Sequence, residues 1–298
     1  MFGLFLLAAC TSPLPQEARY DGKLSVVATT TIVGDVVAQI GGEAIMLSTV
    51  LPVQSDPHSF EPNPQDIARV AEADIIFANG AGLEEFLEPL IESAGAGDKV
   101  IDLSEGIQLI KSASNQEGSH ENHHYDPHVW TDPNNLILWT QVISETLSEL
   151  DPANAESYRA NATAYQAQLA ELDAWIREQV ALIPPRDRNI ITDHLTLAYF
   201  ADEYGFTQIG AIIPGYSTLA EPSAQELAGL VDKIRELDVP AIFVGNTINP
   251  ALADRLTEDT GTQLVFLYTG SLSEAGGEAD SYLAYMKYNV SAIVNALK

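Results

Sequence analysis

From Lys23 onward, short β-branched runs alternate with stretches whose apolar residues recur at helical spacing. "KLSVVATT" (23–30) reads as a strand, and "IVGDVVAQIG" (32–41) reads as a helix closed by glycine. "AIMLSTVLP" (44–52) and "DIIFANG" (74–80) are the next strands, with "PQDIARVAEA" (64–73) helical between them. "EEFLEPLIESA" (84–94) and "KVIDLS" (99–104) continue the series. From Pro152 to Leu182 there is no glycine, and apolar residues fall at Tyr158, Ala162, Tyr165, Leu169, Leu172, Ile176 and Val180. Steps of three and four place these on one stripe of a single long helix. Asp151 is its expected N-cap, Pro152 its first turn, and "IPPRDR" its stop. About 29 residues at about 1.5 Å each predict a rod of about 43 Å. Beyond it the alternation resumes: strand "RNIITD", helix "LTLAYFADEYG", strand "TQIGAII", helix "PSAQELAGLVDKIREL", strand "PAIFVGN", helix "PALADRLTEDTG", strand "QLVFLYT" and closing helix "DSYLAYMKYNVSAIVNAL".

This pattern predicts an α/β protein of two lobes with mostly parallel sheets, joined by one long rigid helix. The boundaries it suggests are a tether over 1–22, a first lobe over 23–150, the linking helix over 151–183 and a second lobe over 184–298. A length of 298 residues suits two cores better than one, and the 46% hydrophobic content suits packed lobes rather than disorder. No sequence repeat relates the lobes.

Charge is lopsided: 14 basic against 42 acidic residues give −28. That surface repels nucleic-acid phosphates and mildly concentrates cations, so nucleic acid is excluded as a partner. The single cysteine, Cys10, ends "MFGLFLLAAC", an apolar run too short to span a bilayer but suited to the apolar region of a signal peptide. Its "LAAC" ending resembles a bacterial lipobox, and the polar "TSPLPQEARYDGK" that follows reads as a tether. The expectation is a chain outside the cytoplasm, lipid-anchored through Cys10, on the cell surface or in the periplasm. The basic residues that usually precede such a run are missing, which suits a natural start lying further upstream. An ordinary apolar strand with a buried cysteine is the plainer reading of the same residues.

Four of the six histidines crowd into "GSHENHHYDPHVW" (118–130). Asp-Pro-His occurs twice, at 56–58 and 126–128, and His194 follows the strand "NIITD". Proline stiffens each turn, and ligands in α/β sheets bind beyond the carboxyl ends of strands. His58, His128 and His194 are therefore candidate metal ligands, although a turn histidine satisfied by backbone groups is the plain alternative for each Asp-Pro-His. Glu61, Asp126, Asp132 and Asp193 stand close enough in sequence to orient them. His120, His123 and His124 lie in an unpatterned polar run, either a solvated loop or an antenna that catches metal for the site.

"DPHSFEP", "DPHVWTDP", "TDHLTLAYFADEYG", "EPSAQELAGLVDKI" and "ADSYLAYMKYN" together resemble the substrate-binding lipoproteins of zinc and manganese ABC transporters. The resemblance covers nearly all of the chain after the tether. It implies a monomer with one ion buried between two lobes, an ABC permease in the membrane as partner, and no enzymatic activity. Carried over by position, the ligands would be His58 and His128 from the first lobe, with His194 and Asp280 from the second. Asp280 begins the final helix and by itself would be read as an N-cap. Three imidazoles and a carboxylate suit zinc. Manganese is the alternative, and many of the family's manganese binders carry glutamate where His194 stands. A zinc hydrolase is a remote reading: there is no HExxH motif, and four protein ligands would leave no open coordination position. An adhesin or organic-solute binder on the same fold is a further class.

Overall fold

The computed structural model describes residues 22–111 and 125–298. Its first sheet is built from β1 (Leu24–Ala28), followed by α1 (Thr31–Gly41), β2 (Ile45–Thr49), α2 (Pro64–Glu72), β3 (Ile75–Ala78), α3 (Glu88–Ala94) and β4 (Val100–Asp102). Two long helices then run in sequence, α4 (Pro133–Leu150) and α5 (Ala155–Val180). The second sheet follows with β5 (Asn189–Thr192), α6 (Ala198–Tyr204), β6 (Thr207–Ala211), α7 (Ala224–Glu236), β7 (Ala241–Gly245), α8 (Ala251–Thr260) and β8 (Gln263–Leu267), and α9 (Tyr282–Leu297) closes the chain. Strand order is β2-β1-β3-β4 in one sheet and β6-β5-β7-β8 in the other, with every pair parallel. The same winding thus occurs twice, without a sequence repeat to announce it. β1, β3 and β7 are apolar almost throughout, as strands covered on both faces must be. Among the described residues, no helix is long and apolar enough to cross a membrane.

The linking helix buries the seven positions that its periodicity picks out, Tyr158 through Val180. It starts later than expected. Asp151 does not cap it: the Asp151 N–H closes α4 on the Leu147 carbonyl, and its carboxylate accepts from Asn154 Nδ2 and Tyr158 Oη. At 26 residues, α5 is about 39 Å long at the usual helical rise.

α4 has no counterpart in the sequence reading. Its buried face mixes Leu136, Trp139, Ile143 and Leu147 with Thr140, Ser144 and Ser148, and these small polar residues blur the apolar period. They pack against α5, where Gln166 Nε2 donates to Thr140 Oγ1. α5 also contacts α1 of the first lobe and α9 of the second, so it braces both.

That bracing has a thermodynamic consequence. Leu169→Ala empties a fully buried position on α5 and is expected to cost about 2–5 kcal/mol. Calorimetry should show one transition shifted down as a whole, because both lobes lean on the helix. Two separating transitions would mean that the lobes unfold independently.

Candidate metal centre

His58 lies in the loop after β2, His128 in the turn that leads through a short 3₁₀ segment to α4, and His194 two residues past β5. The strand-end rule therefore places all three on one side of their sheets. Nε2 of His128 lies 3.2 Å from Nε2 of His58 and 3.2 Å from Nε2 of His194. The ligand atoms of the three all lie within 4.8 Å of one another. Zinc–nitrogen bonds of about 2.0–2.1 Å in a tetrahedron put neighbouring nitrogens about 3.3 Å apart, close to the spacing seen. His128 and His194 are buried and His58 is half-buried.

The opposite ring nitrogens of the two buried imidazoles meet carboxylates. Nδ1 of His128 is 2.7 Å from Asp126 Oδ1, and Nδ1 of His194 is 2.8 Å from Asp193 Oδ1. Each carboxylate oxygen also accepts the backbone N–H of its histidine. Asp193 Oδ2 accepts from the Gly245 amide at 2.6 Å, a close approach that a side chain at 245 would obstruct. Of the four acids proposed as orienters, Asp126 and Asp193 serve. Asp132 instead caps α4 through Asn134, and Glu61 is exposed. Burial pushes the Asp126 carboxyl up to about 7, against the pull of its bonds. For His194 burial favours the neutral ring, but Asp193, Asp56 and Asp126 together outweigh it and raise its pKa.

The two Asp-Pro-His turns are bolted to the second lobe. Tyr199 Oη donates to the Asp126 carbonyl. Trp130 Nε1 donates to the Thr269 carbonyl, and Tyr282 Oη donates to the Trp130 carbonyl. Pro57 rests so closely on Gly270 that a Cβ there would lie 2.5 Å from its Cδ. The pocket around the imidazoles is completed by Asp56, Thr196, Thr247, Ile248, Thr269 and Gly270. Sequence reasoning met Asp56 only as part of Asp-Pro-His and passed over the other five, since none of them is a usual zinc ligand.

Glu84 was also missed. Its Oε1 accepts from Thr29 Oγ1 and the Asn79 amide, and Oε2 from the Gly80 amide. Asn79 Nδ2 in turn donates to the Pro127 carbonyl, so this carboxyl anchors the turn that carries His128. In "LEEFLEPL" it stands beside Glu85, and nothing in the pattern marks one of these acids as buried.

Asp280 is not brought to the cluster. It is exposed, and its Oδ2 accepts from the Gly276 amide 2.9 Å away. Nor does it cap α9, where Ser281 takes that role. The reason is local: four residues back, the loop turns so that the carboxylate closes on its own backbone. With three imidazoles rather than four ligands in place, the argument that a full set of protein ligands forbids hydrolysis no longer applies. His120, His123 and His124 lie outside the described residues.

Over residues 26–296 the chain matches the family described as ZnuA, zinc-uptake complex component A, periplasmic. It is 35% identical to the manganese-binding lipoprotein MntA of Halalkalibacterium halodurans, over 98% of this chain and 95% of that one. It is 33% identical to the manganese ABC transporter substrate-binding lipoprotein PsaA of Streptococcus mitis, over 100% and 97%. Among solved structures, the periplasmic zinc binding protein TroA from Treponema pallidum superposes with a TM-score of 0.83 at 28% identity, covering 93% of this chain and 99% of that one.

Burial raises the Glu84 carboxyl from 4.5 to about 7. Between those values the folded chain holds a proton that the unfolded chain has lost, so its contribution to stability falls as pH rises, by up to about 1.4 kcal/mol per pH unit. Glu84→Gln stays neutral and should flatten that slope. Urea denaturation at pH 5, 6, 7 and 8 reads the difference, and parallel curves would refute a buried neutral carboxyl.

Proposed function

The chain belongs to the ZnuA family, the metal-binding substrate-binding proteins of ABC transporters, and from that premise we propose that it captures zinc between its lobes and delivers it to a membrane permease. The proposed ligands are Nε2 of His58, His128 and His194. The observation that carries the reading is the approach of Nε2 of His58 and of His194 to 3.2 Å from Nε2 of His128, with Asp126 and Asp193 behind two of the rings. A carboxylate on Nδ1 favours the tautomer protonated there, which leaves the Nε2 lone pair for a cation. A nitrogen-rich set favours zinc over manganese, since affinity follows the Irving–Williams order. Manganese is the second reading, favoured by the names of the relatives MntA and PsaA.

Lipid attachment at Cys10, outside the described residues, would hold the protein at the outer face of the membrane within reach of the permease. The relatives named lipoproteins support that placement. Binding a metal for transport needs no turnover, which separates this reading from a hydrolase with the same three imidazoles.

Purified protein should carry about one zinc per chain, and manganese in tenfold excess should not displace it. By calorimetry, His194→Ala should weaken zinc by about 100-fold or more, as loss of one of three ligands would. Asp280→Ala should change it by less than about twofold, since exposed groups away from a site contribute little. Equal effects of the two substitutions, or preferential retention of manganese, would overturn the assignment.

A further inference from the structure

Three imidazoles leave a four-coordinate ion one position short. Among the described residues, no other His, Cys, Asp or Glu side chain joins the cluster. Thr196 lines the same pocket, two residues from His194. It is 1% exposed, and its Oγ1 has no hydrogen-bond partner in the protein. Buried hydroxyls normally find a partner, and one without a partner in a native fold calls for a physical reason.

The loop does not need this hydroxyl to hold its shape. Thr192 Oγ1 donates to the His194 carbonyl, and the Leu195 amide donates to the Gly215 carbonyl at 2.8 Å. Valine would fill the same volume without leaving a polar atom unpaired. A hydroxyl can both donate and accept, which suits a neighbour that is either water or hydroxide.

We propose that Thr196 is a positioning residue for a water molecule that completes the coordination of the bound ion. The proposal rests on the zinc-binding reading of the three imidazoles. The fourth ligand is then exchangeable, held by one hydrogen bond rather than by a carboxylate, and the ion can be taken up or passed on by substitution at that position. Thr196 touches the ion only through this water, so its removal weakens binding without abolishing it.

The test uses the full chain loaded with zinc or with cobalt(II) as a spectroscopic stand-in. Thr196→Val should weaken zinc by about 10-fold, the range for partners that orient a metal ligand, while Thr196→Ser stays within about threefold of the native protein. The metal-free Thr196→Val protein should melt no lower than the native one, which a merely structural role would not allow. Azide added to the native cobalt protein should shift its visible bands by replacing the water, and Thr196→Val should alter the azide concentration required. Native zinc affinity in Thr196→Val, or visible bands indifferent to azide, would overturn the proposal while leaving the three-imidazole site intact. Failure of the native chain to bind zinc at all would overturn both, and so the two failures are distinguishable.

Discussion

Imidazole nitrogens held 3.2 Å apart are a constraint that the surrounding structure must enforce. Neutral lone pairs facing one another repel, and two protonated rings at that distance would repel more strongly. A cation turns the repulsion into coordination, which is why such a cluster is costly alone and stable when loaded. The carboxylates of Asp126 and Asp193 lie on the far side of two rings, where each can hold a proton on Nδ1. Behind them, Gly245 accommodates Asp193, while Glu84 and Asn79 secure the turn of His128.

The same constraint explains the number of polar links between the lobes. Leu272 N–H donates to Thr31 Oγ1, Gln54 N–H to Ser271 Oγ, and Tyr282 N–H to Asp35 Oδ2. Each spans more than 200 residues of sequence and ends on a loop or helix start close to the cleft. With α5 and α9 bracing from behind, the lobes cannot slide freely, so small adjustments at the rim are cheaper than rigid-body opening. His58 is the half-buried member of the trio and sits on a loop, which makes it the imidazole nearest solvent.

Two sheets with one strand order present the carboxyl ends of their strands to a shared cleft. Such ends collect loops, and loops supply side chains and backbone atoms without disturbing the core beneath. The pocket drawn from the segments after β2, β5, β7 and β8, and from the turn before α4 that carries His128, follows directly. Geometry brings three imidazoles into that pocket, while the family's named relatives differ on which ion they bind.

Local pattern was enough for much of this. β-branched runs and glycine stops marked the eight strands of the described residues and most of their helices, and a seven-residue stripe marked the buried face of α5, because periodicity reports directly which side of an element leaves water. Proline before His58 and His128 marked two stiff turns worth attention. Tertiary structure decided the rest. α4 hid its buried face behind Thr140 and Ser144, residues whose burial depends on a neighbouring helix packing closely. The convergence of His58, His128 and His194 depends on how one lobe seats on the other, while the separation of Asp280 from them follows from a local turn onto the Gly276 amide. Part of that seating rests on hydrogen bonds to backbone carbonyls such as those of Asp126, Trp130 and Thr269, and every residue type carries the same carbonyl.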